Sequence, residues 1–276
     1  MDLFSSIMLG LIQGVAEFLP ISSSGHLSLF QSFGFLTVGE DTMFFDVLLH
    51  LGTLLAVFAA YWSEIKALVL EFFTMIGVRK LPAGQKPDRL SRRMIFFIIL
   101  GTLPLFVILP VKDYIDGLYT NTIFIGCALL FTGLLLFLTD RFGRGNKDVK
   151  NATIVDILLV GCAQALATVP GLSRSGTTIA AGMGRGFGRE FAVKFSFLLS
   201  IPAVLGANVL SLIDAIQMGI DWSLMPVYLV GVVVAAVSGY LSICLLKFIT
   251  QRGSFGGFCY YCWGAGLVAL ILSLIR

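Results

Sequence analysis

The chain has 276 residues, of which 57% are hydrophobic and only 13% are charged, and its formal net charge is +3. Soluble globular domains carry about 25% charged residues, so this chain has too little polar surface for a shell that faces water. The composition therefore excludes a soluble globular domain, and we expect no nucleic-acid partner.

Six long apolar runs have lengths close to the roughly 20 residues that a helix needs to cross about 30 Å of hydrocarbon. They cover approximately residues 44–62, 94–111, 121–139, 191–213, 225–246 and 258–275. The runs are spread evenly along the chain. They predict an all-α integral membrane protein with about six transmembrane helices in one polytopic domain over residues 1–276.

Two further apolar stretches are interrupted by small polar residues. Residues 1–36 contain Pro-Ile-Ser-Ser-Ser-Gly at 20–25, and residues 153–184 contain Pro-Gly-Leu-Ser-Arg-Ser-Gly at 170–176. Broken backbone at membrane depth persists only where protein or a water-filled cavity satisfies its polar groups. We therefore predict two re-entrant helical hairpins. The alternative is an ordinary spanning helix that ends in a surface loop.

The distribution of Lys and Arg agrees with this interpretation. These residues cluster at 79–93, 141–150, 185–194 and 247–252. If each of the six runs crosses once and the broken stretches do not cross, all four clusters lie on the cytoplasmic side, as the positive-inside rule requires. The first hairpin then enters from the outer face and the second from the cytoplasmic face, and both termini lie outside.

The two broken stretches also resemble each other. Residues 10–26 align with residues 161–177, and Gly, Gln, Ala, Ser, Ser and Gly recur at a constant offset. Halves that enter from opposite faces are inverted-topology repeats, and such folds place their site where the broken helices meet. We predict a first repeat over 1–140 and a second over 151–276.

Ionisable side chains in the broken stretches mark a candidate site, because such residues are costly inside a membrane and are functional by default. Glu17 and His26 lie in the first stretch and Arg174 in the second. Gln13 and Glu17 are four residues apart and share one helix face. Hydroxyls and freed backbone N–H groups at a break suit an anion, and the planar fork of Arg matches phosphate oxygens. The site thus favours a phosphate ligand.

Each of these residues also has a structural interpretation. A serine in a membrane helix often bonds the carbonyl four residues earlier. Glu17 could pair with Arg174 only to neutralise charge, and His26 could be a satisfied polar residue. Co-occurrence favours function, because both halves carry polar residues at matched positions in the broken segment. We interpret Asp46 and His50 as structural or supporting residues, and the five cysteines as small buried hydrophobes.

Two sequence motifs indicate a family. Residues 13–26, Gln-Gly-Val-Ala-Glu followed by Phe-Leu-Pro-Ile-Ser-Ser-Ser-Gly-His, resemble the first motif of the bacterial undecaprenyl-diphosphatase family of the bacitracin-resistance type. Residues 170–178, Pro-Gly-Leu-Ser-Arg-Ser-Gly-Thr-Thr, resemble its second motif, PGxSRSxxT. The resemblance covers the whole chain in length and segment order. The first motif begins with Glu or Gln, and Gln13 leaves Glu17 as its only acid.

The resemblance implies hydrolysis of undecaprenyl diphosphate to undecaprenyl phosphate and inorganic phosphate, which recycles the carrier lipid for cell-wall synthesis. It also implies a divalent cation, Mg²⁺ or Ca²⁺, with Glu17 as a ligand. We expect a multi-pass protein of the bacterial inner membrane whose site opens to the periplasmic side. A homodimer is compatible with this expectation. The alternative is a membrane transporter or flippase of a lipid phosphate or small anion, because broken helices in inverted repeats also describe transporters.

Roles follow for the individual residues. The catalytic candidates are Glu17, Ser23, His26 and Arg174. The substrate-binding candidates are Gln13, Ser22, Ser24, Gly171, Ser173, Ser175 and Thr178. The sequence leaves three nucleophiles open, namely Ser23 activated by His26, an activated water, and His26 itself.

Overall fold

A computed structural model of the chain describes residues 1–34, 42–81, 86–143, 145–253 and 255–275. Residues 35 and 36 of the first broken stretch, residues 82–85 of the first basic cluster and Arg144 of the second lie outside these ranges. The α-helices are α1 (Leu3–Phe18), α2 (Ser23–Ser32), α3 (Thr42–Ala60), α4 (Trp62–Met75), α5 (Arg89–Thr102), α6 (Lys112–Gly117), α7 (Thr122–Phe142), α8 (Ile154–Leu166), α9 (Arg174–Gly184), α10 (Arg189–Met218), α11 (Met225–Arg252) and α12 (Gly256–Ile275). The predicted all-α fold is confirmed for the part of the chain described.

Within the described part of the chain, six helical segments are long and apolar enough to cross a membrane. They are Met43–Ala60, Arg89–Thr120, Thr122–Phe142, Arg189–Gln217, Trp222–Gln251 and Gly256–Ile275. Their positions agree with the six apolar runs of the sequence. Between 22 and 50% of each apolar window is buried inside the protein, so much of the remaining apolar surface faces outward, where only lipid makes it favourable. The chain is a multi-pass membrane protein.

The segment Arg89–Thr120 is not one continuous α-helix, contrary to the simple run in the sequence. Helix α5 ends at Thr102, and two short 3₁₀ segments follow before α6. Pro104 and Pro110 lie at the starts of these 3₁₀ segments. Proline has no backbone N–H to donate and its ring clashes with the preceding turn, so the α-helix cannot continue regularly through this region.

Helix α4 was not predicted. It follows α3 after a break at Tyr61, and it packs against α5. The Nε atom of Arg92 donates to the buried Glu71 carboxylate at 2.6 Å, and the Nζ atom of Lys194 lies 3.1 Å from Glu64. Helix α4 therefore pairs acidic side chains with two of the cations that the sequence assigned to the cytoplasmic face.

Both predicted interruptions are present. Helix α1 ends at Phe18 and α2 begins at Ser23, whereas α8 ends at Leu166 and α9 begins at Arg174. Helix α1 packs on α2, and α8 packs on α9. The two helix–break–helix units are therefore present, while their re-entrant character and their entry into the membrane from opposite faces stay predictions.

The two units share their capping geometry. Ser22 caps α2, and its Oγ atom accepts a hydrogen bond from Gly25 N at 3.2 Å. Ser173 caps α9, and its Oγ atom accepts from Gly176 N at 3.1 Å. Such caps satisfy N–H groups that the first turn of a helix leaves unpaired. The matched serines and glycines of the sequence repeat thus perform the same local task in both halves.

The two breaks touch each other through their glycines. A Cβ atom on Gly25 would lie 3.0 Å from the Cα atom of Gly171, and one on Gly176 would lie 3.2 Å from the Cβ atom of Pro20. Gly171 has φ of +89°, and a Cβ atom there would approach Ala128 to 2.7 Å. Helix α7 contacts both α2 and α9 and so lies beside both breaks. This close approach brings the polar residues of both stretches into one region.

A buried acid anchors the start of the second unit. Asp156 in the first turn of α8 is 0% exposed and lies 2.9 Å from both Lys147 Nζ and Arg185 Nε. Its Oδ2 atom also accepts from Thr153 N at 2.9 Å. Burial by itself raises the pKa of this carboxyl, but the hydrogen bonds from Lys147, Thr153 and Arg185 lower it more. The pKa of Asp156 is therefore held well below its ordinary 3.8.

We expect Asp156→Asn to lower the free energy of unfolding at pH 7 by about 2–3 kcal/mol, because two cations lose their buried partner. A carboxyl whose pKa is depressed on folding stabilises the fold above its unfolded pKa, and this contribution is lost as the pH falls. The difference between variant and parent should thus shrink below about pH 4. Unfolding in detergent at pH 7 and pH 3 measures it, with the exposed Asp113→Asn as control. An equal difference at both pH values would contradict the assignment.

Candidate active site

Glu17 lies at the centre of the candidate site. It is in the last turn of α1 and is 8% exposed. Its carboxylate accepts hydrogen bonds from Gln13 Nε2 at 3.1 Å and from Ser23 Oγ at 2.6 Å, and it forms an ion pair with the guanidinium of Arg174. Four of the residues singled out in the sequence are thus joined in one hydrogen-bonded cluster drawn from both broken stretches.

Arg174 brings a positive charge to this cluster from the other half of the chain. It is the first residue of α9, and its Nη2 atom donates to Glu17 across a separation of 157 residues. Its Nη1 atom is buried and has no hydrogen-bond partner among the described residues. A guanidinium with an unpaired buried donor is suited to bind an additional oxygen anion.

Ser23 is the hydroxyl that contacts the charged pair directly. It begins α2, it is partly exposed, and its Oγ atom donates to Glu17. The preceding residue, Ser22, has φ of +71°, an uncommon conformation for a residue other than glycine. Activation of Ser23 by His26 was one of the three routes left open by the sequence; in the structure the Ser23 hydroxyl donates to Glu17.

His26 makes two other hydrogen bonds. Its Nδ1 atom lies 2.7 Å from the backbone oxygen of Ser22, and its Nε2 atom lies 2.8 Å from the hydroxyl of Tyr261. The His26 and Tyr261 rings are nearly parallel, with centroids 5.6 Å apart and 16° between their planes. The sequence did not single out Tyr261, since in this part of the chain only the cysteines were interpreted, as small hydrophobes.

The cysteines follow the prediction in part. Cys259 and Cys262 are buried, as expected for small hydrophobes, and the thiol of Cys262 donates to the backbone oxygen of Pro20 at 3.6 Å. Cys127, Cys162 and Cys244 are exposed instead. Helix α12 therefore supports the first break with two neighbouring residues, Tyr261 and Cys262.

The polar residues of the second break hold its backbone. Ser173 N donates to Thr132 Oγ1 at 3.2 Å, and Thr132 Oγ1 lies 3.4 Å from the carbonyl of Gly171. The Oγ atom of Ser175 lies 3.4 Å from Leu19 O in the first break. These contacts fix the loop that carries Arg174 rather than joining the Glu17 cluster directly.

Two more predicted binding residues lie beside the cluster without entering it. Thr178 Oγ1 lies 2.9 Å from the carbonyl oxygen of Arg174 and 2.6 Å from Ser196 Oγ, so it ties α9 to α10. Ser24 lies with its hydroxyl 3.4 Å from Ser22 Oγ in the first break. The hydroxyls of both residues bond to neighbouring groups of the two breaks and not to the charged groups of Glu17 and Arg174.

The expected divalent cation has a small set of oxygen ligands available. Among the described residues, no group of three or more His, Cys, Asp or Glu side chains is arranged to hold a metal ion. Gln13 Oε1 is buried without a partner, next to the Glu17 carboxylate to which the same side chain donates. Mg²⁺ is commonly bound by one or two carboxylates together with substrate phosphates and water. The residues present therefore fit a cation that is shared with a phosphate ligand.

The fold and the site together define a class of protein. A carboxylate, a guanidinium with an unpaired donor and a serine hydroxyl meet where two helix breaks touch, inside a multi-pass helical membrane protein. This is a multi-pass membrane protein with a buried polar cluster whose groups are suited to an anion. The family described as bacitracin resistance protein BacA matches residues 6–268, nearly the whole chain.

Individual relatives agree over their full length. A protein named undecaprenyl-diphosphatase from Alkaliphilus metalliredigens is 39% identical over 277 residues, which is 100% of both chains. Proteins of the same name from Carboxydothermus hydrogenoformans and Methanosphaera stadtmanae are 40% and 38% identical, over 99% and 100% of this chain and 98% and 99% of their own. The chain belongs to the bacitracin resistance protein BacA family, as its two motifs predicted.

Proposed function

We propose that the protein is an integral membrane phosphatase that hydrolyses undecaprenyl diphosphate to undecaprenyl phosphate and inorganic phosphate, and so recycles the carrier lipid for cell-wall synthesis. The observation that carries this proposal is the buried cluster in which Ser23 donates to Glu17 beside Arg174. Such a cluster offers a nucleophile, a proton acceptor and an anion-binding cation. The names of relatives at 37–40% identity over the whole chain support the substrate.

In the first step, the Ser23 hydroxyl attacks the terminal phosphorus of the diphosphate while Glu17 accepts its proton. The bond between that phosphorus and the bridging oxygen breaks, and undecaprenyl phosphate leaves with the bridging oxygen. Water then attacks the phosphoserine, which releases phosphate and restores the serine. The 2.6 Å hydrogen bond from Ser23 to Glu17 favours Glu17 over His26 as the proton acceptor, since it is within the range for general-base catalysis.

Arg174 has two tasks in this proposal. Without substrate its guanidinium neutralises Glu17, and its buried Nη1 donor is available to bind a phosphate oxygen. When a phosphate group engages the guanidinium, Glu17 loses part of its compensating charge and becomes a better proton acceptor. Binding of the diphosphate thus activates the base as it positions the phosphorus, which is most of what catalysis of phosphoryl transfer requires.

A divalent cation is part of the proposal. Glu17 and Gln13 would hold it together with oxygens of the diphosphate, which is consistent with the buried, unpartnered Gln13 Oε1 atom. When bound, such a cation neutralises phosphate charge and acts as a Lewis acid. Glu17, Ser23 and Arg174 retain their own roles in binding and proton transfer.

We propose a location in the bacterial inner membrane, with the site reached from the periplasmic side. The clustering of Lys and Arg at 79–93, 141–150, 185–194 and 247–252 supports this orientation when the six spans cross once each. The first helix–break–helix unit, which holds Glu17 and Ser23, then faces the outside. The same arrangement makes 1–140 and 151–276 inverted repeats.

Phosphate release from undecaprenyl diphosphate by the purified protein tests the proposed function. We expect release with divalent cation present and no further release from undecaprenyl monophosphate, because that product lacks a diphosphate bond. The rival function, transport of a lipid phosphate or anion, predicts movement between the leaflets of a vesicle without hydrolysis. Transport activity with no phosphate release in either detergent or lipid would overturn the proposal.

A further inference from the structure

We propose that Tyr261 is a positioning residue that acts through His26 on the nucleophilic serine. Its hydroxyl fixes the orientation of the imidazole, and the imidazole in turn holds the Ser22 backbone that presents Ser23 to Glu17. The proposal rests on the proposed function for its effect on catalysis. Its effect on the histidine does not depend on any activity.

The hydrogen bonds fix the tautomer of His26. The partner of Nδ1 is the backbone oxygen of Ser22, which can only accept, so Nδ1 carries a proton. In the neutral ring Nε2 is then an acceptor, and the Tyr261 hydroxyl at 2.8 Å is its donor. Both nitrogens of the buried ring are therefore engaged, and neither contacts Ser23. His26 acts here as a strut between α12 and the first break.

The strut reaches a strained piece of backbone. The carbonyl oxygen of Ser22 accepts from His26 Nδ1 at 2.7 Å and from His26 N at 3.3 Å, while Ser22 has φ of +71°. Non-glycine residues stay in such conformations only when their surroundings impose them. Ser23 follows directly, and its hydroxyl direction depends on this backbone. Loss of the hydrogen bond between Tyr261 and His26 should therefore move the Ser23 hydroxyl away from Glu17.

Tyr261 is 48% exposed, and the side chains that surround it offer no substitute for its hydroxyl. Tyr261 also lines a cavity of about 520 Å³ whose other walls are apolar or glycine. These walls are formed by Val15, Leu19, Ile21, Ile249, Gly257 and Phe258. If the hydroxyl is removed, no side chain of this cavity can donate to Nε2. The neighbouring Tyr260 is 67% exposed and supplies a matched control on the same helix.

Nitrogen NMR of the purified, ¹⁵N-histidine-labelled chain tests the strut directly. The chain has only two histidines, so a His50→Gln variant assigns the ring signals of His26. In the parent protein we expect a proton on Nδ1 and an unprotonated Nε2 that accepts a hydrogen bond. Tyr261→Phe should shift the Nε2 signal, because that nitrogen loses its donor, while Tyr260→Phe leaves both signals unchanged. A parent protein with its proton on Nε2, or a Tyr261→Phe spectrum like that of the parent, overturns the proposal.

Kinetics test the link to Ser23. Tyr261→Phe should lower kcat about tenfold with KM changed by less than about twofold, because a displaced nucleophile impairs the chemical step more than binding. Tyr260→Phe should keep the parent kcat. A shifted histidine signal with an unchanged kcat would overturn the link between the strut and Ser23. If the parent protein releases no phosphate, the proposed function fails, whereas the NMR result still decides the role of Tyr261.

Discussion

Replacing Glu17 by glutamine should lower kcat for phosphate release by about 10³-fold or more, the range expected when a general base and a charge partner are lost together. Glutamine keeps the shape of the side chain, but it cannot accept the proton of Ser23 or balance the charge of Arg174. Initial rates with undecaprenyl diphosphate measure the effect. Size-exclusion chromatography in detergent shows whether the variant is still folded.

Glu71 provides the matched control for this experiment. It is buried and bonded to Arg92 at 2.6 Å, so Glu71→Gln breaks a similar ion pair between α4 and α5, away from the cluster. We expect this variant to keep kcat within about twofold, since its ion pair has no part in transition-state stabilisation. A Glu17→Gln variant that matches the control in kcat would show that the Glu17–Arg174 pair is only structural.

The second large effect concerns Ser23. Ser23→Ala should lower kcat by about 10³-fold or more and abolish a phosphoenzyme that forms in the parent protein, because alanine offers no nucleophile. Turnover of substrate labelled in its terminal phosphate is stopped once in acid, where phosphoserine survives, and once in alkali, where phosphohistidine survives. Peptide mapping of both samples then locates the label. We expect it on the peptide that contains Ser23.

Ser28 is a suitable control, because it is a buried serine on the same helix as Ser23 and lies outside the cluster. Ser28→Ala should retain both the phosphoenzyme and most of the activity. Full activity in Ser23→Ala without any trapped phosphoenzyme would rule out the serine route and assign the attack to water. A label on His26 would instead make the imidazole the nucleophile.

The sequence was sufficient to predict the fold class, and the reason is physical. A membrane requires apolar runs near 20 residues, and the six runs reappear as six spans. Helix α4 was harder to predict, since acidic residues such as Glu64 and Glu71 interrupt its apolar residues, so that no long apolar run forms. The 3₁₀ segments before α6 depend on Pro104 and Pro110, which hydropathy alone does not distinguish from other apolar positions.

The main residues of the site were predictable from the sequence, but the hydrogen bonds between them were not. Glu17 and Arg174 stand out because charges are rare in apolar stretches, and the structure joins them. The sequence left open whether His26 activates Ser23, and it gave no sign that the Ser23 hydroxyl would donate to Glu17 beside the positive-φ backbone of Ser22. Tyr261 could not be found from spacing at all, because its contact with His26 spans 235 residues.

The ion pair at the centre of the site also constrains how the protein is made. Glu17 is synthesised 157 residues before Arg174, and helices α2 to α8 are made between them. An uncompensated carboxylate is costly in hydrocarbon, so the nascent first unit must keep Glu17 protonated, hydrated or held by the insertion machinery. The counter-charge arrives only with α9. Insertion of the second unit therefore completes both the Glu17–Arg174 pair and the stable burial of α1, and a chain arrested before residue 174 lacks both.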